Sequence, residues 1–372
     1  MNESKELKTL SFVKRWDHHT QSGGYDRLAD YTGSGIVKTK EIPFLKASDR
    51  GFAKKLLKWA VPDSNFSNHY HVKHALAESK LRRQVKRDAV DLVHSLYAED
   101  QLNLLLSDRN KMDAALVGTF HLPMESMFMQ KLKNAGKMSR YRTLDAIITL
   151  SSITVEELKN ETGNPNVLFV PHGIDTSTFD PGSRSNQVKS GMFNILTVGR
   201  HSRDWDTYLE VVSACNELPS EISFTAVVPE KISKKLRQAS NIITHTSIEE
   251  KKLIELYHEA DLLYMPLNYA TANNSILESM ACGTPVLSTN TGGIPDYVDK
   301  NSGWLVPQGG VRETVELIRT LSKAPGIIQT ASVSARIKSL RFDWTEVAAQ
   351  VKEVYQQAWY SWKTHREYKN EA

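Results

Sequence analysis

Cysteine is scarce in this chain of 372 residues, which has only Cys215 and Cys282. Both lie in stretches that read as buried helix, a pattern that excludes a disulfide-stapled secreted domain and suits a reducing compartment. Long apolar runs are also lacking. None approaches the ~18 residues of a membrane span, and Leu10–Val13, after a polar start, is too short for the core of a signal peptide. The expectation is a cytoplasmic protein. Charge of one sign is weak too, because 47 Lys and Arg against 43 Asp and Glu leave a formal +4. That bias favours anionic ligands slightly and gives no argument for nucleic acid. No short repeat, low-complexity tract or zinc-spaced ligand cluster appears. What remains is ordinary globular composition, 40% hydrophobic and 24% charged, on a chain long enough for two α/β domains with separate cores.

The most informative stretch runs from Asn273 to Asp296. Ser275 followed by Glu278 is a capping-box pattern and predicts a helix start. Ile276, Leu277 and Met280 supply its apolar stripe, and Gly283 is its stop signal. Pro285 opens a short buried strand through Val286 and Leu287, which Gly292-Gly293 then breaks. Helix, strand and glycine turn in this order form half of a βαβ unit, and the helix N-terminus is a natural anion site.

This stretch resembles the nucleotide-sugar signature of the family 4 retaining glycosyltransferases, which have the GT-B fold. The resemblance implies two Rossmann-like domains facing across a cleft. It implies that Glu278 holds the ribose hydroxyls, while Thr271, Asn273, Asn274 and Ser275 meet the diphosphate and sugar of the donor. The family's first Glu, eight residues before Glu278, is Ala270 here. The run Ala270 to Asn274 resembles a subset of the family, and the departure puts the donor-sugar contact in question rather than the nucleotide contact.

Earlier in the chain, Leu10–Val13 reads as a strand that leads through a polar loop into Gly23-Gly24. Such a turn lets backbone amides approach a phosphate, and a plain tight turn explains it equally well; the resemblance adds a donor-facing role. Lys54 to Arg87 is cationic with Leu56, Leu57, Trp59 and Val61 interleaved, a pattern that fits either a solvated helix face or contact with an anionic membrane or acceptor. Asp91–His94 and Ala114–His121 read as parallel strands ending in His, where crevice ligands gather in open α/β sheets. His94 is divided between a structural and a crevice role. Thr119 to Pro123 resembles the family's acceptor-side strand end, so His121 is expected beside the reacting sugar. Leu144–Leu150 and Val167–Val170 are further strands. Thr154 with Glu157 is a second capping box, opening a helix over Val155–Asn160. Pro171 to Asp175, with Phe179 and Pro181, resembles the close of the first domain. The polar, Ser- and Gly-rich residues that follow read as a linker.

The second domain opens with the strand Phe193–Val198, running into Gly199-Arg200. Arg200 and Arg203 stand where guanidinium forks can hold a diphosphate; the resemblance makes Arg200 a leaving-group residue and Arg203 the stand-in for the family's Lys. Asp204-Trp205-Asp206 has the spacing of a metal-binding carboxylate pair, but an Asp just before a helix is more simply its N-cap. Phe224–Val228, Ile242–Thr246 and Leu262–Pro266 read as strands and Glu249–Ala260 as a helix, with Thr246 in a loop that packs on the nucleobase in family members. Ser302–Pro307 is a last short strand. Trp344–Trp359 reads as an amphipathic helix that family members return to the first domain. The expected organisation is an acceptor-side domain over 1–180, a linker over 181–192, a donor domain over 193–343 and a C-terminal helix over 344–372. The expected activity is transfer of a sugar from a nucleotide diphosphate sugar to a hydroxyl of a glycan, glycolipid or small molecule, as in polysaccharide biosynthesis, with retention and without cofactor or metal. Peripheral contact at the inner face of the membrane is part of the expectation, and nucleic acid is not. The alternative is a catalytically silent homologue that binds nucleotide sugar or acts as a scaffold subunit.

Overall fold

A computed structural model describes residues 5–14, 22–38, 72–182, 191–218, 221–237 and 242–371. Lys54 to His71 of the cationic stretch, the loop 15–21 and linker residues 183–190 lie outside these. The chain divides into two compact units. Unit 1 holds the described residues up to Lys14, Gly24–Val170 and the chain from Ala348 on; unit 2 holds Ser22, Gly23 and Pro171–Val347.

In unit 1 the elements are β1 (Thr9–Val13), α1 (Leu28–Thr32), β2 (Gly35–Lys38), α2 (Val72–Asp88), β3 (Leu92–Ser95), α3 (Ala98–Gln101), α4 (Leu104–Ser107), β4 (Ala115–Phe120), α5 (Met127–Asn134), β5 (Ala146–Thr149), α6 (Thr154–Thr162) and β6 (Val167–Phe169). The strands form one sheet ordered β2-β1-β3-β4-β5-β6, with every neighbouring pair parallel. Near-continuous apolar strands are what a sheet buried on both faces requires. Leu10, Val93 and Leu116 stand level across three of them, inside a core that also takes Phe12, Leu81, Phe120 and Ile147.

Unit 2 runs β7 (Phe193–Val198), α7 (Trp205–Cys215), β8 (Ile222–Val227), α8 (Glu230–Leu236), β9 (Ile242–His245), α9 (Glu250–Glu259), β10 (Leu262–Met265), α10 (Asn274–Ala281), β11 (Val286–Thr289), α11 (Ile294–Tyr297), β12 (Gly303–Val306), α12 (Val311–Leu321), α13 (Pro325–Ser339) and then α14 (Trp344–Glu371). Its sheet is also all parallel, in the order β12-β11-β10-β7-β8-β9. Successive residues of β7 point to opposite faces. Leu196 joins a core with Leu253, Tyr257, Ile276 and Met280, while Ile195 joins one with Tyr208, Phe224 and Ile318. Cys215 and Cys282 are buried and free, and burial pushes the Cys215 thiol up to about 12.

Neither expected capping box forms. Thr154 lies within α6 and its buried hydroxyl donates to the Ser151 carbonyl (2.9 Å), so the helix enters through Ile153 with no side-chain cap. At α10 the cap is Asn273, one turn ahead of Ile276, whose N–H it accepts at 3.3 Å. Ser275 therefore sits inside the helix, and Glu278 is drawn to a different partner. Helices α12 and α13 fill 311–339, for which no motif signalled an element.

From Ala348 onward α14 belongs to unit 1. Val351, Val354, Tyr355 and Ala358 are buried there, the Tyr355 hydroxyl bonds His94 Nδ1 at 2.7 Å, and Lys5 lies over the Trp359 ring. No described helix is long and apolar enough to cross a membrane.

The start of unit 2 is fixed to its end. Ile174 exchanges main-chain bonds with Phe342 (2.8 Å) and Trp344 (3.1 Å). A Cβ on the intervening Gly173 would overlap the buried Trp344 indole. Gly173→Ala should therefore destabilise the protein by about 2–3 kcal/mol in urea unfolding; a loss below about 0.5 kcal/mol would show that Trp344 yields freely.

Candidate active site

In unit 2 the strand order reverses between β7 and β10. Ligands of open α/β sheets bind outside the carboxyl ends of the strands at such a switch point. Strand β7 leaves through Gly199, whose φ of +89° suits glycine, and the chain then folds so that Arg203 is buried beneath it. Arg203 donates Nε–H (3.1 Å) and one NH2 proton (2.6 Å) to the Val198 carbonyl and one NH1 proton to the His201 carbonyl (2.7 Å). A Cβ on Gly199 would come within 2.8 Å of that guanidinium. Burial lowers Arg203 to about 10, opposed by nearby Tyr257 and Glu278. Three of its five N–H groups thus serve the main chain, so Arg203 shapes the loop and contributes charge more than it offers a fork. Arg200 is exposed at the same strand end.

The carboxylate pair divides its work. Asp204 caps α7, accepting from the Thr207 N–H (3.1 Å) and hydroxyl (2.8 Å). Exposed Asp206 pairs with Lys235 (2.9 Å). The capping explanation of this motif holds in the structure.

Strand β10 feeds the loop that reaches α10. Within it Thr271 is buried, while Asn273, Asn274 and Ser275 are half-buried around the helix start. Ala270 fixes the loop's shape through its carbonyl, which accepts the Gly293 N–H at 2.9 Å. Gly292, at φ +51°, passes so close that a Cβ would overlap that oxygen. The glycine turn seen in the sequence is what lets the two loops touch. One turn into α10, Glu278 is 4% exposed and its Oε2 accepts the Tyr257 hydroxyl at 2.8 Å. Burial pushes Glu278 up to about 7, against the Tyr257 bond and Arg203. The structure thus gathers Gly199, Arg203, Ser275, Tyr257 and Glu278 into one cluster. Thr246 follows β9, the outer strand two places from β7, and is half-buried. Gly23 is buried and grouped with unit 2.

In unit 1, buried Gly24 (φ +106°) opens the Tyr25–Arg27 turn. His121 stands just past β4. Its Nε2 meets the Leu96 carbonyl at 2.6 Å, so that nitrogen carries a proton. The ring stacks on Tyr97 (4.2 Å between centroids) and meets Tyr25 edge-on (4.7 Å). Glu99 holds the same turn from below, its Oε1 accepting the N–H groups of His121 (2.7 Å) and Leu122 (3.2 Å), and burial pushes its carboxyl up to about 7. His94 takes the structural role. It is fully buried between Tyr355 and Thr119 (2.7 and 2.8 Å) and kept neutral, lowered to about 3 by burial.

Tyr257, Tyr97 and Glu99 carried no signal at the level of motifs. Tyr257 falls on the apolar period of its helix with Leu253 and reads as core, and Glu99 reads as one of many surface acids.

Residues 193–324 match the family model described as glycosyl transferases group 1, and residues 50–178 match that of glycosyltransferase family 4. The sulfoquinovosyl transferase of Arabidopsis thaliana is 26% identical over 206 residues, 51% of this chain and 40% of that protein. A D-inositol 3-phosphate glycosyltransferase of Xylanimonas cellulosilytica is 26% identical over 311 residues, 72% of each chain. The match thus spans under half of the first relative and nearly three-quarters of the second. Among solved structures, that of Anabaena Alr3699/HepE in complex with UDP and glucose superposes with a TM-score of 0.68 at 16% identity, covering 94% of this chain and 99% of that one. At that identity the likeness establishes the GT-B fold.

Glu99 and Glu278 both hold a proton more tightly folded than unfolded. The stability this confers is fully present below about pH 4.5 and is lost as pH rises through about 7, on the order of 3 kcal/mol per carboxyl across the window. Urea unfolding at pH 5 and pH 8 should show the loss, and Glu278→Gln should flatten the slope by its share. An unchanged slope in that variant would place the titration elsewhere.

Proposed function

The chain belongs to the family 4, group 1 glycosyltransferases, and on that premise we propose that it moves a sugar from a nucleotide diphosphate sugar to a hydroxyl acceptor, retaining anomeric configuration. One observation carries the proposal: at the switch point of unit 2, a helix N-terminus and buried Arg203 stand beside a buried carboxylate, with Arg200 exposed at the same strand end. Anionic and polyhydroxylic ends of one ligand need those groups side by side. In this reading Glu278 accepts from the ribose hydroxyls, and the first amides of α10, at Asn274 and Ser275, meet the diphosphate. Thr271, Asn273 and Asn274 serve the donor sugar, the Thr246 loop packs on the base, and the Gly23-Gly24 turn offers backbone amides. His121 is the residue assigned to the reacting sugar.

The chemistry follows from where charge develops. As the glycosidic bond breaks, negative charge grows on the departing diphosphate, and preorganised positive groups there lower the barrier. Exposed Arg200 can close on the phosphates as a fork, while buried Arg203 supplies fixed positive potential. No protein nucleophile and no metal enters this scheme, in which the arginines and the start of α10 supply the positive potential. The acceptor stays at the level of a hydroxyl on a glycan, glycolipid or small molecule. The buried free thiols support a cytoplasmic setting, and the cationic Lys54–Arg87 stretch supports peripheral contact with anionic lipid.

A second reading, a silent nucleotide-sugar binder, is favoured by one residue, Ala270, which removes the family's first Glu. Nucleotide release from UDP-, GDP- and ADP-sugars, with and without acceptor, separates the two. We expect release that EDTA leaves intact. Binding without turnover in every combination would favour the silent reading, and loss with EDTA restored by Mn²⁺ would overturn the metal-free scheme. Arg200→Ala should lower the rate about a hundredfold and Arg200→Lys less, because Lys keeps charge but loses the fork. Near-normal rates in both would remove Arg200 from the leaving-group site.

A further inference from the structure

The nucleotide end of unit 2 contains a hydroxyl that the chemistry above leaves unused. Tyr257 is fully buried near the end of α9, its ring packed in the core shared with Leu253, Ile276 and Met280. At the ring's tip the hydroxyl lies 2.8 Å from Glu278 Oε2. A phenol has one proton to give, and an ionised carboxylate can only accept. The Tyr257 proton therefore goes to Glu278. One hydroxyl from α9 thus fixes the carboxylate of α10 that is assigned to the ribose. The main chain is braced as well, since the Thr284 hydroxyl donates to the Tyr257 carbonyl at 2.6 Å.

We propose that Tyr257 is a positioning residue of the donor site, holding Glu278 in the rotamer that receives the nucleotide. The proposal rests on the reading of Glu278 as the ribose contact. An unrestrained Glu would lose side-chain freedom on binding, a cost that a bond already formed in the free protein removes. One acceptor position of the carboxylate is used by Tyr257, leaving the others for ribose. The hydroxyl also favours the ionised form of Glu278. Glu250 of α9 acts against ionisation and Arg203 for it, and Cys282 is the remaining titratable neighbour of Tyr257. Without the hydroxyl, burial and Glu250 are opposed by Arg203 alone, so Glu278 ionises at higher pH.

The test is calorimetric titration of the full chain with UDP, GDP and ADP from pH 5.5 to 8.5, on wild type, Tyr257→Phe and Glu278→Gln. The nucleotide that binds wild type should bind Tyr257→Phe about tenfold more weakly. The midpoint of its pH dependence should move upward, with little change in melting temperature. Tyr257→Phe matching wild type in affinity and midpoint, while Glu278→Gln is weakened, overturns the positioning role and leaves the donor site standing. Glu278→Gln binding as tightly as wild type at every pH, or a wild type that binds none of the three, overturns both. If Tyr257→Phe does not fold, 3-fluorotyrosine placed at position 257 keeps the ring and makes its hydroxyl a stronger donor. Its midpoint should move downward, and an unmoved midpoint overturns the proposal.

Discussion

A buried guanidinium sets the geometry of the switch point in unit 2. Removing Arg203 from water costs several kcal/mol, and its position is kept only because the Val198 and His201 carbonyls take three of its protons. Those carbonyls leave a strand end and need partners in turn. The arrangement requires no side chain at Gly199, and it fixes the path from β7 to α7. The chain after β10 joins the same frame through the Asp204 N–H to Pro266 and the Asn268 N–H to Ser202. Two loops that would otherwise move separately are held as one surface. The buried charge also reaches Glu278, where it opposes but does not cancel the effect of burial.

Buried acids do comparable work in unit 1 by holding main-chain amides. Glu99 grips the turn that carries His121, and Glu78 accepts the N–H groups of Asn103 and Leu105 (2.7 Å for the latter), bracing the chain around α4. Functional side chains on loops need such support if they are to keep their geometry without a ligand. Both units therefore place a charge under the loop rather than within it.

The strands other than β2 were legible because a parallel sheet buried on both faces demands short apolar runs, and β7 begins and ends where Phe193–Val198 predicts; the edge strand β2 (Gly35–Lys38) is largely exposed and carries no such run. Asp204 was legible as a cap because the Asp precedes an apolar period. The capping boxes were not, since Ser275 and Thr154 satisfy a local pattern that other bonds outcompete: Asn273 reaches the amide first, and the Ser151 carbonyl takes the Thr154 proton. Glu278 was recognised through resemblance, but its partner Tyr257 is 21 residues away and indistinguishable from core by periodicity. Arg203 reads in the sequence as a fork for a diphosphate and not as a main-chain clamp, because burial decides that and burial is a tertiary fact. Helices α12 and α13 lacked motifs altogether.

Helix α14 has a consequence for how the chain is made. Ribosomal synthesis releases the sheet of unit 1 first, yet Val351, Tyr355 and Ala358 seal that unit's interior and emerge only after all of unit 2. Until then the His94 imidazole lacks its Tyr355 partner and an apolar face is left uncovered. Domains usually fold in the order of synthesis. Here the earlier half waits for the later one, so the nascent protein carries an unfinished, apolar surface while unit 2 is being made.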